Sequence, residues 1–183
     1  MKRLVLFGDS LFGRFGKELI NKLEDRSSCD VYNCAAGGWN TEDGARKSFF
    51  IASLKPDFIV ISFGLNDSAP GKQIPLENFE ENINEILKNF KSSKIIFFLP
   101  PPVNENKEQG DIKRLNDIEI KYYKSAKDIC LQNNVEVIDL WDFFIKLQSE
   151  KKDYHIDDGV HINDFGYEIF INKLVEIISR SKK

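Results

Sequence analysis

Short runs of branched and aromatic residues alternate along this chain with longer segments of helical period. The runs are Leu4–Phe7, the residues around Val31, Phe58–Phe63, Ile95–Leu99 and Val135–Ile138. Between them, Leu11, Phe12, Phe15, Leu19 and Leu23 share one helical face, and Leu76, Phe79, Ile83, Ile86, Leu87 and Phe90 share another. Leu115, Ile118, Tyr122 and Ile129 form a third, and a segment with Phe165, Ile169, Phe170, Leu174 and Ile178 closes the chain as a helix. Strands joined through helices return in the same direction by right-handed crossovers. The runs are continuously apolar, as strands covered on both faces are. The pattern predicts a three-layer α/β/α sandwich around a five-stranded parallel sheet of flavodoxin-like order 2-1-3-4-5. No linker or composition shift divides the 183 residues, so 1–183 reads as one domain.

Several functional classes are disfavoured by composition. The formal net charge is −3 with both signs dispersed, so no polyanion-binding surface and no nucleic-acid partner are expected. No apolar run is long enough to span a bilayer, and no membrane partner is expected. Lys2-Arg3 before LVLF resembles the start of a signal peptide, but Gly8-Asp9 cuts the apolar run short. Cys29, Cys34 and Cys130 form no CxxC and read as reduced thiols, which points to a cytoplasmic location. Lys182 and Lys183 read as a solvated tail.

In open parallel sheets, ligands bind beyond the carboxyl ends of the strands, near the point where strand order reverses. Unusual residues stand at those ends. Gly8-Asp9-Ser10 follows the first strand, Asn33 to Thr41 (NCAAGGWNT) follows the second, and Gly64-Leu65-Asn66-Asp67 follows the third. Asp157-Asp158-Gly159-Val160-His161-Ile162-Asn163 precedes the final helix. Four such blocks, in this order and over the whole chain, resemble the SGNH hydrolases, also called the GDSL esterase/lipase family. That resemblance implies a nucleophile at Ser10, a block glycine at Gly38, an asparagine at Asn66, and a histidine at His161 partnered by Asp158.

The chemistry suits those residue types. A serine hydroxyl needs a base to take its proton, and the base needs a group that holds its tautomer. A separation of three residues lets one turn set the Asp158 carboxylate beside the His161 imidazole. The oxyanion of a tetrahedral intermediate needs donors, for which Ser10 N–H, Gly38 N–H and the Asn66 side-chain amide are the candidates. Glycine at position 38 leaves no Cβ in the way of a substrate. The order Ser, Asp, His is one of several known for such triads, and the GxSxG elbow of α/β-hydrolases is absent. No cofactor and no metal are expected.

Each residue also has a structural role open to it. Ser10 is a fit N-cap for the first helix. Gly37-Gly38 makes a plain turn, Asn66-Asp67 caps a loop before Pro70, and Asn163 caps the final helix beside a structural His161. Asp9 is expected to hold the turn through local hydrogen bonds, and with Trp39 and Pro101 it is a candidate lining of the substrate pocket. His155, in the same loop as His161, is a competing base.

Within the family, LPPPVNE (99–105), KRLNDIEIKYYKSAKDIC (113–130), VIDLWDFF (137–144) and DDGVHIN (157–163) are similar to the isoamyl acetate-hydrolysing esterase group. This implies a small-molecule ester substrate with a short acyl group, acetyl in particular. Carbohydrate O-acetyl groups, lysophospholipids and acyl thioesters stay open, because fold and triad do not fix the leaving group. Two readings from other classes also stand: a metal-dependent phosphoesterase using Asp9, Asn66, Asp67, Asp158 and His161, and a non-catalytic binding module. Two histidines in the chain make the first poor in its usual ligands. Gly8 to Gly13 has the GxxxxG spacing of a phosphate loop, but Arg14-Phe15 follows it instead of Lys-Ser/Thr.

Overall fold

Buried on every residue from Leu4 onward, β1 (Lys2–Gly8) is the inner strand from which the sheet is built. The computed structural model describes residues 1–181; Lys182 and Lys183, read above as a tail, lie outside the described residues. β1 pairs in parallel with β2 (Cys29–Asn33) on one side and β3 (Phe58–Ser62) on the other. Beyond β3 come β4 (Lys94–Phe98) and β5 (Glu136–Ile138), giving the order β2-β1-β3-β4-β5 that the alternation predicted. The register sets Gly8 opposite Ser62, so the chain leaves β1 and β3 at the same edge.

Side chains alternate across the sheet and divide the core in two. Leu4, Leu6, Val60 and Phe98 face a layer containing α1 (Ser10–Gly13), α2 (Lys17–Ser27), α6 (Trp141–Ser149) and α7 (Asp164–Arg180), where Phe12, Leu23, Phe144, Phe170 and Leu174 meet them. Val5, Phe7, Ile59, Ile61 and Phe97 face α3 (Thr41–Ala52), α4 (Leu76–Asn89) and α5 (Asn116–Gln132), with Phe79, Ile83, Ile86 and Tyr122. Each such side chain, fully withdrawn from water, contributes about 1.5–3 kcal/mol before conformational entropy is set against it.

The structure departs from the sequence reading at one helix, and two further elements are faint in the sequence. The face running from Leu11 to Leu23 is not one helix: α1 closes after four residues, and α2 restarts after an extended Gly16. The break carries Phe15 edge-on to both Tyr167 and Phe170, with ring centres 5.4 and 6.2 Å apart, so the apolar period survives while the helix does not. α3 has no apolar stripe, since its buried positions include Thr41, Gly44 and Ser48. Small residues let it lie close against α4; a Cβ on Gly44 would stand 2.8 Å from Ile86. β2 reads weakly because it is an edge strand, with Tyr32 left 46% exposed.

Candidate active site

The first site residue is set by a close approach of two strands. A Cβ on Gly8 would fall 2.2 Å from the Ser62 carbonyl oxygen, so only glycine lets β1 and β3 close at that point. The chain then turns at Asp9, whose carboxylate accepts the Leu11 N–H at 2.9 Å and caps α1. The cap that Ser10 was fit to provide is thus supplied by Asp9, and Ser10 becomes the first residue of α1. Its hydroxyl is left for another partner.

That partner is His161. Nε2 of His161 lies 2.7 Å from Ser10 Oγ, and Nδ1 lies 2.6 Å from Asp158 Oδ2. An ionised carboxylate only accepts, so the imidazole proton belongs on Nδ1, and Nε2 accepts from the Ser10 hydroxyl. The loop is wound to make this possible. Asp158 Oδ1 accepts the N–H groups of Val160 and His161, both at 2.9 Å, and the Ile156 N–H returns to the His161 carbonyl at 2.9 Å. Asn163 caps α7 by accepting the Gly166 N–H, and the Tyr167 hydroxyl donates to the Leu11 carbonyl at 2.6 Å, tying α7 to the turn that carries Ser10.

The electrostatics agree with this arrangement. Burial lowers the affinity of His161 for a proton below that of ordinary histidine, against the opposing pull of Asp158; the Arg14 and Arg114 cations add to the lowering. Burial pushes Asp158 up, but its hydrogen bonds from the His161 backbone, the imidazole and Val160 outweigh that and hold it below the usual carboxylate range. At neutral pH the pair is a neutral imidazole beside a carboxylate.

Gly38 and Asn66 converge from β2 and β3. Gly38 has φ +81°, so a turn in the left-handed region, rather than crowding, is what requires glycine there. Asn66, 3% exposed, donates from Nδ2 to the Trp39 carbonyl at 2.8 Å, next to Gly38. An amide nitrogen carries two hydrogens, and the second stays available. Asp67 accepts the Thr41 N–H at 2.9 Å and fixes the start of α3 against this loop; burial raises its pKa to about 6.

The GDSL-like Lipase/Acylhydrolase family profile matches residues 6–169. The chain belongs to that family. Isoamyl acetate-hydrolyzing esterase 1 homologs from Bos taurus and Homo sapiens are 28% and 29% identical to it, over 97% of this chain and 82% of each relative. A lipase/acylhydrolase from Enterococcus faecalis superposes with TM-score 0.85 and 28% identity, covering 98% of this chain and 97% of its own. The protein is therefore a GDSL-type ester-hydrolysing enzyme.

Other residues of this GDSL enzyme fall differently from expectation. Asp9 is fully buried, with its carboxylate holding the turn through the Leu11 N–H, and Pro101 is buried as well. Burial also lifts Asp9 to about 7. Trp39 is half-buried, edge-on to Phe7, with Lys47 Nζ 4.8 Å from its ring centre. His155 is no rival base: it is buried against the Tyr154 ring, lies 3.0 Å from the Pro102 carbonyl oxygen, and is lowered by burial to about 4. Among the described residues, no three His, Cys, Asp or Glu side chains gather as a metal-binding group, and no helix is long and apolar enough to cross a membrane. A hollow of about 440 Å³ lined by Lys88, Lys91 and Lys94 sits at the amino ends of β4 and β5, the sheet edge opposite Ser10.

Two residues escaped the sequence reading altogether. Arg114, half-buried just before α5, donates from Nε to the Leu65 carbonyl at 3.1 Å and from Nη2 to Asn66 Oδ1 at 3.0 Å. Glu119, 5% exposed, has no hydrogen-bond partner among the described residues on either carboxylate oxygen, and the neighbouring Val103 N–H is committed to Asn116. Burial raises Glu119 to about 8, against the pull of Arg114. The unfolded carboxyl ionises near 4.5, so folding becomes less favourable as pH rises from there to about 8 and levels off above. Glu119→Gln has no proton to lose. Its melting temperature is expected to exceed wild type by a margin that widens between about pH 5 and pH 8.5; a margin constant across that range in thermal unfolding would contradict the buried carboxyl.

Proposed function

We propose that this GDSL enzyme is a serine esterase for short-acyl esters, acetyl esters foremost, with Ser10 as nucleophile, His161 as general base and Asp158 as its orienting carboxylate. The observation that carries the reading is the 2.7 Å contact between Ser10 Oγ and His161 Nε2, made across 151 positions of sequence. His161 Nε2 takes the hydroxyl proton as Oγ adds to the ester carbonyl carbon. The oxyanion that forms is met by the N–H groups of Ser10 and Gly38 and by the second Nδ2–H of Asn66. As the first residue of its helix, Ser10 has an N–H with no acceptor inside that helix. The imidazolium then gives its proton to the departing alkoxide oxygen. Water, activated by the same imidazole, releases the acid and restores Ser10.

Support for a short acyl group comes from the isoamyl acetate named for the bovine and human relatives. It comes also from the 99–115 connection, which is pinned at Asn104 N–H to the Gly159 carbonyl and at Val103 to Asn116 and does not stand off as an apolar lid.

A fluorophosphonate probe followed by peptide mapping tests the nucleophile. One label per chain is expected, on the peptide containing Ser10, with loss of esterase activity in proportion; labelling elsewhere, or none, would overturn the assignment. Across p-nitrophenyl acetate, butyrate and octanoate, kcat/KM is expected to fall with acyl length, and a rise would reject the short-acyl preference.

A further inference from the structure

We infer that Arg114 is a positioning residue for the oxyanion donor Asn66, an inference that rests on the proposed role of Asn66. The side chain of Asn66 is held from both ends. Nδ2 faces the Trp39 carbonyl at 2.8 Å, which only accepts, and Oδ1 faces Arg114 Nη2 at 3.0 Å, which only donates. The two contacts demand the same orientation of the amide, so a flipped Asn66 would lose both. A flip would also turn an oxygen lone pair, instead of an N–H, toward the developing oxyanion.

The guanidinium is itself held in place. Its Nε bonds the Leu65 carbonyl at 3.1 Å, so two prongs grip consecutive residues of the β3–α4 loop, a planar fork that lysine cannot reproduce. Its backbone is clamped by Gln109, whose amide oxygen accepts the Arg114 N–H at 2.6 Å and whose amide nitrogen donates to the Arg114 carbonyl at 3.1 Å. A fixed positive charge on Oδ1 polarises the amide and strengthens its remaining N–H as a donor. That help grows as negative charge builds on the substrate oxygen, so it falls on the transition state and on kcat rather than on substrate binding.

The test is a double-mutant cycle on p-nitrophenyl acetate at about pH 8, above the titration of His161, so that removing a nearby cation is not read through the base. Asn66→Ala alone is expected to lower kcat about 10²–10³-fold. Arg114→Met, which keeps the apolar stem, is expected to lower kcat about 10–100-fold with KM within about twofold, and to cost less than about threefold more in the Asn66→Ala background. Arg114→Lys retains the charge without the fork and is expected to lie between; should Arg114→Met fail to fold, the kcat-only loss of Arg114→Lys and its non-additivity with Asn66→Ala decide the matter. An Arg114 variant with wild-type kcat, with a change confined to KM, or with equal losses in both backgrounds overturns the inference while leaving Asn66 standing. A silent Asn66→Ala overturns the oxyanion role itself.

Discussion

Ser10→Ala is expected to lower kcat/KM for p-nitrophenyl acetate by at least about 10³-fold while leaving the melting temperature near wild type. The loss is large because the oxyanion donors remain but nothing is left to form the acyl-enzyme. The stability is spared for a reason specific to this fold. The hydroxyl makes its contact with His161, whereas the helix cap belongs to Asp9, and alanine is well tolerated at the first position of a helix. A serine that capped α1 would instead lose about 1 kcal/mol on the same substitution. Activity within tenfold of wild type would reject Ser10 as the nucleophile, and would favour a hydroxide or metal-activated water as the attacking group. Steady-state kinetics and thermal unfolding on one preparation separate these outcomes.

His161→Ala is expected to cause a loss of similar size, and the pH profile of the wild type carries the same information without a mutation. Only the neutral imidazole accepts the Ser10 proton, so kcat/KM falls as pH drops through the pKa of His161. Burial, Arg14 and Arg114 set that pKa below 6.5, despite the nearby Asp158 carboxylate. The acid limb is therefore expected to have its midpoint below 6.5, with a flat rate through neutrality. Asp158 is held below the ordinary carboxylate range and stays ionised across that limb. His155 contributes nothing to it: its ring is buried on Tyr154 and bound to the Pro102 carbonyl, and His155→Gln should leave the midpoint in place. A rate independent of pH down to about pH 4.5 would remove His161 from the role of base.

Much of this molecule can be read from local pattern. β1 and β3 are evident in Leu4–Phe7 and Phe58–Phe63 because strands buried on both faces have no polar alternation to blur them. α4, α5 and α7 are evident because each buries one face, whereas α3 is hidden because its buried face is made of Thr41, Gly44 and Ser48. The break after α1 is hidden for the opposite reason: Phe15 keeps the apolar period across a segment that is not helical. Ser10, Gly38, Asn66, Asp158 and His161 stand out as candidates because each follows a strand or precedes the last helix in a short, unusual block. Arg114 stands out in no such way. In KRLNDIEI it is one more charge at the start of a helix.

The residues alone determined the class of sheet, its strand order and the side chains worth suspecting, since apolar period and turn chemistry act over a few positions and survive in a linear reading. Tertiary packing decided the partnerships: His161 and not His155 beside the hydroxyl, and Arg114 on Asn66. Those bonds join positions as far apart as 10 and 161, and their existence depends on parallel crossovers that bring the carboxyl ends of β1, β2 and β3 to one edge and then fold two loops over it. Hydrogen-bond geometry is satisfied within a few tenths of an ångström, a tolerance that no local propensity specifies.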